Sequence, residues 1–115
     1  MNLPNRDKAV VPQKKVVGYL LSSSHRDGRG KAKFFTQFDF SVEAWEELAQ
    51  ALRQHTVDHE IAKLEESPFV TRYVIQGRII APDGRTPLIR SVWFIPAGET
   101  ISQFVTAYPL KRRAS

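Results

Sequence analysis

The chain contains no cysteine. That excludes disulfides, thiolate zinc sites and a cysteine nucleophile. It has no run near the ~20 apolar residues of a membrane-spanning helix, so no membrane partner is expected. The opening Met1-Asn2-Leu3-Pro4-Asn5-Arg6 lacks the apolar stretch of a signal peptide. The expected location is the cytoplasm, although a domain cut from a larger exported protein would look the same. Imidazole is scarce too. His25, His55 and His59 are the three histidines, so acid–base chemistry near neutral pH has few candidates.

What remains is an ordinary globular composition with an uneven charge. The 115 residues are 42% hydrophobic and 25% charged, enough for one core and not for two. Residues 1–109 are expected to form one domain, and 110–115 a basic, frayed tail. The formal net charge of +5 hides a pattern. Lys plus Arg minus Asp plus Glu is 8 − 2 = +6 over residues 1–33, 2 − 8 = −6 over 34–66, and 7 − 2 = +5 over 67–115. A solvated acidic helix between basic elements would give this pattern. So would two basic thirds that meet in space to hold a polyanion.

Hydrophobic spacing predicts helices first and strands after. Lys14 to Leu21 reads as a short helix weakened by Gly18. Ser22 to Gly30 reads as a loop. Lys31 to Phe38 reads as a second helix, with its anion-attracting N-terminus just after Gly30. Ser41 is a suitable N-cap for a third helix running to about His59. Its buried stripe would be Val42, Trp45, Leu48, Ala49 and Leu52. Strands are then expected over Ile61–Leu64, Phe69–Ile80, Leu88–Ile95 and Ile101–Tyr108. Pro82-Asp83-Gly84 and Pro96-Ala97-Gly98 supply turns. Helices followed by a meander, without βαβ alternation, predict an α+β fold: N-terminal helices packed on one face of a C-terminal antiparallel sheet. Strict alternation puts Thr106 and Tyr108 on one face of the last strand. Val105 and Ala107 then face the third helix.

Several residues could carry chemistry. His25 lies in a Gly-rich loop, followed directly by Arg26 and three residues later by Arg29; nearby cations favour the neutral imidazole, the form of a general base. An exposed loop histidine without a role would read the same way. Lys31 and Lys33 start a helix, where cations oppose the dipole and an anion would be welcome. His55 and His59 stand four apart near a helix end, a spacing that can hold a metal, but no third ligand is evident. The structural reading of that pair is preferred, and neither metal nor cofactor is expected. Arg72 and Arg90 interrupt apolar strands, so each must meet solvent, a carboxylate such as Glu65 or Glu66, or a phosphate.

Gly18-Tyr19-Leu20-Leu21, the run His25 to Phe35, Arg90-Ser91-Val92-Trp93 and Val105-Thr106-Ala107-Tyr108-Pro109 together resemble an uncharacterised bacterial domain. It occurs as small stand-alone proteins and as the tail of polymorphic toxins. Its layout is similar to the barnase–EndoU–colicin–RelE (BECR) group of metal-independent ribonucleases. Arg26 stands where that domain usually has proline, and Gly30 where it often has serine. The resemblance implies His25, Lys31, Arg90 and Thr106 as catalytic positions. Arg29, Lys33, Arg72 and Tyr108 would contact substrate. The implied activity is toxin-type RNA cleavage by 2′-hydroxyl attack, neutralised by a small acidic antitoxin or immunity-type partner. The alternative is a non-catalytic nucleic-acid-binding or protein-interaction domain.

Overall fold

A computed structural model describes residues 1–24, 26 and 29–110, with the backbone alone at Arg29. The expected functional position His25 therefore lies outside the described residues, as does the tail beyond Leu110.

After a 3-10 turn at Arg6–Lys8, α1 (Gln13–Lys15) runs into a π-helical turn, Val16–Leu20. The Leu21 N–H reaches back five residues to the Val16 carbonyl at 2.8 Å. A π-turn is a wide, rare conformation that often marks functional positions, and this one carries Tyr19. Helix α2 spans Arg29–Thr36 and α3 spans Trp45–Asp58. Four strands follow: β1 (Ile61–Glu66), β2 (Val70–Arg78), β3 (Leu88–Pro96) and β4 (Gln103–Pro109). They form one antiparallel sheet in the order β1-β2-β3-β4. The expected α+β layout is the observed one. Gly84 at φ +90° and Gly98 at φ +84° occupy the left-handed region in the two expected turns, which a residue with a Cβ adopts at a cost.

Three local expectations are corrected. The third helix becomes regular only at Trp45. The Ser41 hydroxyl accepts from the Ala44 N–H at 3.2 Å, a turn ahead of the helix. Val42 is consequently 42% exposed and outside the buried stripe. Helix α2 begins at Arg29, so Gly30 lies within its first turn rather than before it. The third correction concerns β4. Its register slips between Val92 and Trp93 of β3, which pair with Thr106 and Phe104, leaving Val105 without a partner. Phe104 and Ala107 are both fully buried although three residues apart. Only an extra residue in the strand lets both face the core. Val105 is that residue, and it is half-buried rather than part of the core.

The core lies between the helices and one sheet face. Trp93, Ile75, Ile89, Phe104 and Ala107 from the strands meet Leu48, Leu52, Phe35, Phe40, Val16 and Leu20. Helix α3 packs over β2, and α1 and α2 lie against β4. Among the described residues no helix packs on the opposite sheet face. Lys63 and Glu65 of β1, Arg72, Val74 and Gln76 of β2, Arg90 and Val92 of β3, and Thr106 and Tyr108 of β4 share it by alternation and register.

Candidate functional site

On this open face the strands place residues in cross-strand rows. Gln76, Arg90 and Tyr108 form one row; Val74, Val92 and Thr106 form the next. Arg90 is half-buried and lies over the Tyr108 ring, its guanidinium carbon 5.7 Å from the centroid. Its Nη1 donates to the Tyr108 hydroxyl at 3.2 Å. With the Gln76 amide oxygen turned toward it, Nε and Nη2 donate at 3.0 and 2.6 Å. Gln76 thus fixes the guanidinium without neutralising it. Among the described residues neither Arg72 nor Arg90 forms an ion pair. Of the alternatives open for these arginines, a salt bridge to Glu65 or Glu66 is not formed there, and Glu65 pairs with Lys63 at 3.3 Å.

Thr106 joins the helical layer to this face. Its Oγ1 is 2.9 Å from the Tyr19 hydroxyl. The Nζ of Lys15 is 5.6 Å and that of Lys31 5.3 Å from the Tyr19 ring centroid, within cation–π range. Two hydroxyls and two ammonium groups converge where the π-turn meets β4. Such a set can donate hydrogen bonds to an anion and offset its charge.

The predicted site residues divide accordingly. Arg72, Arg90, Thr106 and Tyr108 share the open face, and Lys31 approaches it through Tyr19. Lys33 is exposed two residues further along α2 and joins none of these contacts. The side chain of Arg29, like His25, lies outside the described residues. Tyr19, Lys15 and Gln76 were not anticipated. In sequence Tyr19 is one more ring in a short apolar segment, and only the π-turn and the Thr106 contact set it apart. Gln76 could have been found by pairing β2 with β3, which sets it opposite Arg90.

The remaining histidines are bonded within the fold, His55 in the core and His59 half-buried at its margin. His55 is 1% exposed. The Trp93 indole N–H donates to Ser91 Oγ at 2.9 Å, and Ser91 lies 2.8 Å from His55 Nδ1. His55 Nε2 lies 3.1 Å from the Gly77 carbonyl. A carbonyl only accepts, so Nε2 carries the proton, and Nδ1 accepts from the Ser91 hydroxyl. Burial pulls the His55 pKa down to about 4, with help from nearby His59; the Gly77 carbonyl and Asp58 act the other way. Both ring nitrogens are occupied, so His55 is not placed to bind a metal with His59. His59 Nε2 in turn faces the Arg78 carbonyl at 2.9 Å. Among the described residues no His, Asp and Glu group is arranged to hold a metal ion.

An apolar groove of about 480 Å³ lies elsewhere, between α3 and the end of β2. Glu46, Glu47 and Asp58 border it, a poor setting for a polyanion. Among the described residues no helix is long and apolar enough to cross a membrane.

Comparison with curated proteins yields no match. The fold is similar to a chain of the contact-dependent growth inhibition toxin–immunity protein complex from Klebsiella pneumoniae 342, with a TM-score of 0.71 and 18% identity. The likeness covers 89% of this chain and 100% of that one. At that identity the shared property is the fold. The sequence matches the domain of unknown function DUF6883 over residues 2–111, and the chain belongs to that family.

Proposed function

We propose that the domain is a toxin-type endoribonuclease that cleaves RNA without a metal. The observation that carries this reading is the Thr106–Tyr19 hydroxyl pair, flanked by Lys15 and Lys31 and adjoining Arg90 and Tyr108. The fold likeness to a toxin–immunity complex supports it, as does a layout of helices followed by an antiparallel sheet like that of the BECR ribonucleases.

In the proposed reaction the RNA 2′-hydroxyl attacks its neighbouring phosphorus and gives up its proton to a base, the role proposed for His25. The P–O5′ bond breaks, the 5′-oxygen takes a proton, and a 2′,3′-cyclic phosphate remains. Lys31 and Arg90 offset charge growing on the phosphoryl oxygens, and Thr106 donates to one of them. Tyr108 stacks on a base. Arg29, Lys33 and Arg72 hold flanking phosphates. An acidic immunity-type partner would cover the same face, its carboxylates aimed at Lys31 and Arg90.

The test is purified protein added to total cellular RNA in excess EDTA, with end-group analysis of the fragments. Cyclic phosphate ends are expected. RNA that stays intact, or a cut abolished by EDTA, overturns the proposal. The second reading is a non-catalytic nucleic-acid-binding domain that uses the same hydroxyls and cations. RNA retained but uncut would support that second reading.

A further inference from the structure

Strand β1 is an edge of the sheet. The other edge is partly closed: Val10 bridges Gln103 of β4, and the Phe104 N–H donates to the Val10 carbonyl at 2.9 Å. Among the described residues the outer side of β1 is taken up only at Ile61, whose N–H donates to the Met1 carbonyl at 2.8 Å. Past that point Ala62–Glu66 is exposed. At the end of the hairpin the Ser67 N–H donates to the Val70 carbonyl at 3.0 Å. Bonded and non-bonded pairs alternate along an antiparallel ladder. Glu65 and Lys63 therefore bond β2, and Leu64 and Glu66 turn their N–H and C=O groups outward. An edge with free backbone groups is a template for another strand.

Charge decides which strand fits. Two identical antiparallel strands pair about a two-fold axis, and the register is set by the residue that faces its own copy. Centred on Lys63 or on Glu65, the pair would set like charges directly opposite, which is destabilising. Centred on Leu64, it sets each Lys63 against the Glu65 of the second copy. Those positions are the non-bonded ones, where side chains stand closest, while Leu64 exchanges both backbone bonds with its copy. The pair that Lys63 and Glu65 form within one chain is solvent-exposed, and such pairs are weak competitors. The apolar residues obey the same symmetry. Met1 lies at one end of the free edge, Leu64 at its centre and Phe69 just past the other end, and all are exposed. Antiparallel pairing brings the Met1 end of one copy to the Phe69 end of the other.

We infer that β1 is a self-pairing edge, and that two copies of this chain join through it, centred on Leu64, into one continuous antiparallel sheet. The inference goes beyond the RNA reading and does not depend on it. A seam this short buries less than the ~1,200 Å² of a standard interface, so the dimer should be weak and its population should rise with protein concentration. The axis stands perpendicular to the sheet, so both open faces lie on the same side. Thr106 of one copy is then seven strand spacings, roughly 34 Å, from Thr106 of the other.

The test is sedimentation velocity of the whole protein over about a hundredfold range of concentration, at about 0.1 M salt, where the Debye length is still about 10 Å. The unaltered chain should dimerise reversibly. Lys63→Glu and Glu65→Lys each set like charges across both halves of the seam and should weaken the dimer roughly 10- to 100-fold. Mixing the two variants should restore it, because the all-acidic edge of one then faces the all-basic edge of the other. Both positions are exposed on an edge strand, so each variant should keep its fold, and melting temperatures check this. A chain that stays monomeric throughout, a dimer that neither reversal weakens, or variants that remain apart when mixed would overturn the seam.

Discussion

Ser91 and Thr106 are hydroxyl residues on adjacent strands, and each bonds a ring-bearing side chain from the helical layer. Ser91 faces the core, between Trp93 and His55, and is fully buried. Thr106 faces the other way and bonds Tyr19, with two lysines close by. By residue type, the serine–histidine pair looks more like a catalytic centre. Its donors and acceptors are already matched, its imidazole is held neutral, and no substrate can reach it. The threonine–tyrosine pair has the more modest chemistry but the accessible position. Residue type alone therefore misleads here. The distinction rests on which face of the sheet a residue occupies and on whether its hydrogen bonds are already used inside the fold.

The largest expected difference between the faces is in their response to salt. Binding through cations such as Lys15, Lys31, Arg72 and Arg90 releases counterions. Raising salt from 50 to 200 mM should weaken RNA binding on the order of 10³-fold if about six phosphates are contacted. Filter binding across that range measures it. Affinity that does not change would erase the contrast between a polyanion face and a core face.

Acid should act on the other face. His55 has a pKa of about 4 folded against an ordinary 6.5. Between those values the unfolded chain binds the proton and the folded chain does not. Stability should therefore fall as pH drops from 6.5 toward 4, by about 3 kcal/mol in all. Above pH 6.5 this contribution should be level. Urea unfolding at a series of pH values reads the slope, and a flat profile between 4 and 6.5 would show that the imidazole is not held as described.

Substitution should separate the faces in kind. Thr106→Ala or Arg90→Ala should slow RNA cleavage about 10²-fold, the scale of one lost transition-state donor, with melting temperature nearly unchanged. Ser91→Ala should do the opposite. It leaves His55 Nδ1 and the Trp93 N–H without their partner and costs about 1–3 kcal/mol of stability. Paired melting and cleavage measurements decide it, and a Thr106 variant that only unfolds would place that residue with the core.

The most local effect is expected at Gly77. A Cβ there would lie 2.5 Å from the His59 ring. Gly77→Ala should push the ring off the Arg78 carbonyl and cost about 1–3 kcal/mol. In a His59→Ala background the same change should cost almost nothing. Equal costs in both backgrounds would mean the clash is relieved elsewhere.

The fold was readable wherever periodicity was strong. The spacing of Leu48, Ala49 and Leu52 marked α3, and the alternating strands with their Pro and Gly turns marked the meander. Local chemistry that competes with periodicity was not readable. The Ser41 turn delayed α3 past Val42, and the unpaired Val105 changed the phase of β4. The candidate site was legible in part, because Arg72, Arg90, Thr106 and Tyr108 stand out as polar residues on one side of apolar strands. Tyr19 and Gln76 were not, since each acquires meaning only from a partner 87 or 14 positions away along the chain. Glu65 was noticed as a salt-bridge candidate, but its separation from Arg72 is visible only in three dimensions.

The unpaired Val105 divides β4 into two reading frames. Upstream, the frame that buries Phe104 serves the fold. Downstream, the frame that buries Ala107 turns Thr106 and Tyr108 outward. A substitution at Val105 leaves both frames intact, whereas a deletion forces a choice between them. If Phe104 stays in the core, Thr106 and Tyr108 turn inward; if they stay outward, Phe104 is expelled. The strand should therefore tolerate many residues at position 105 but not its loss, so that an unremarkable valine is dispensable in identity and indispensable as a spacer.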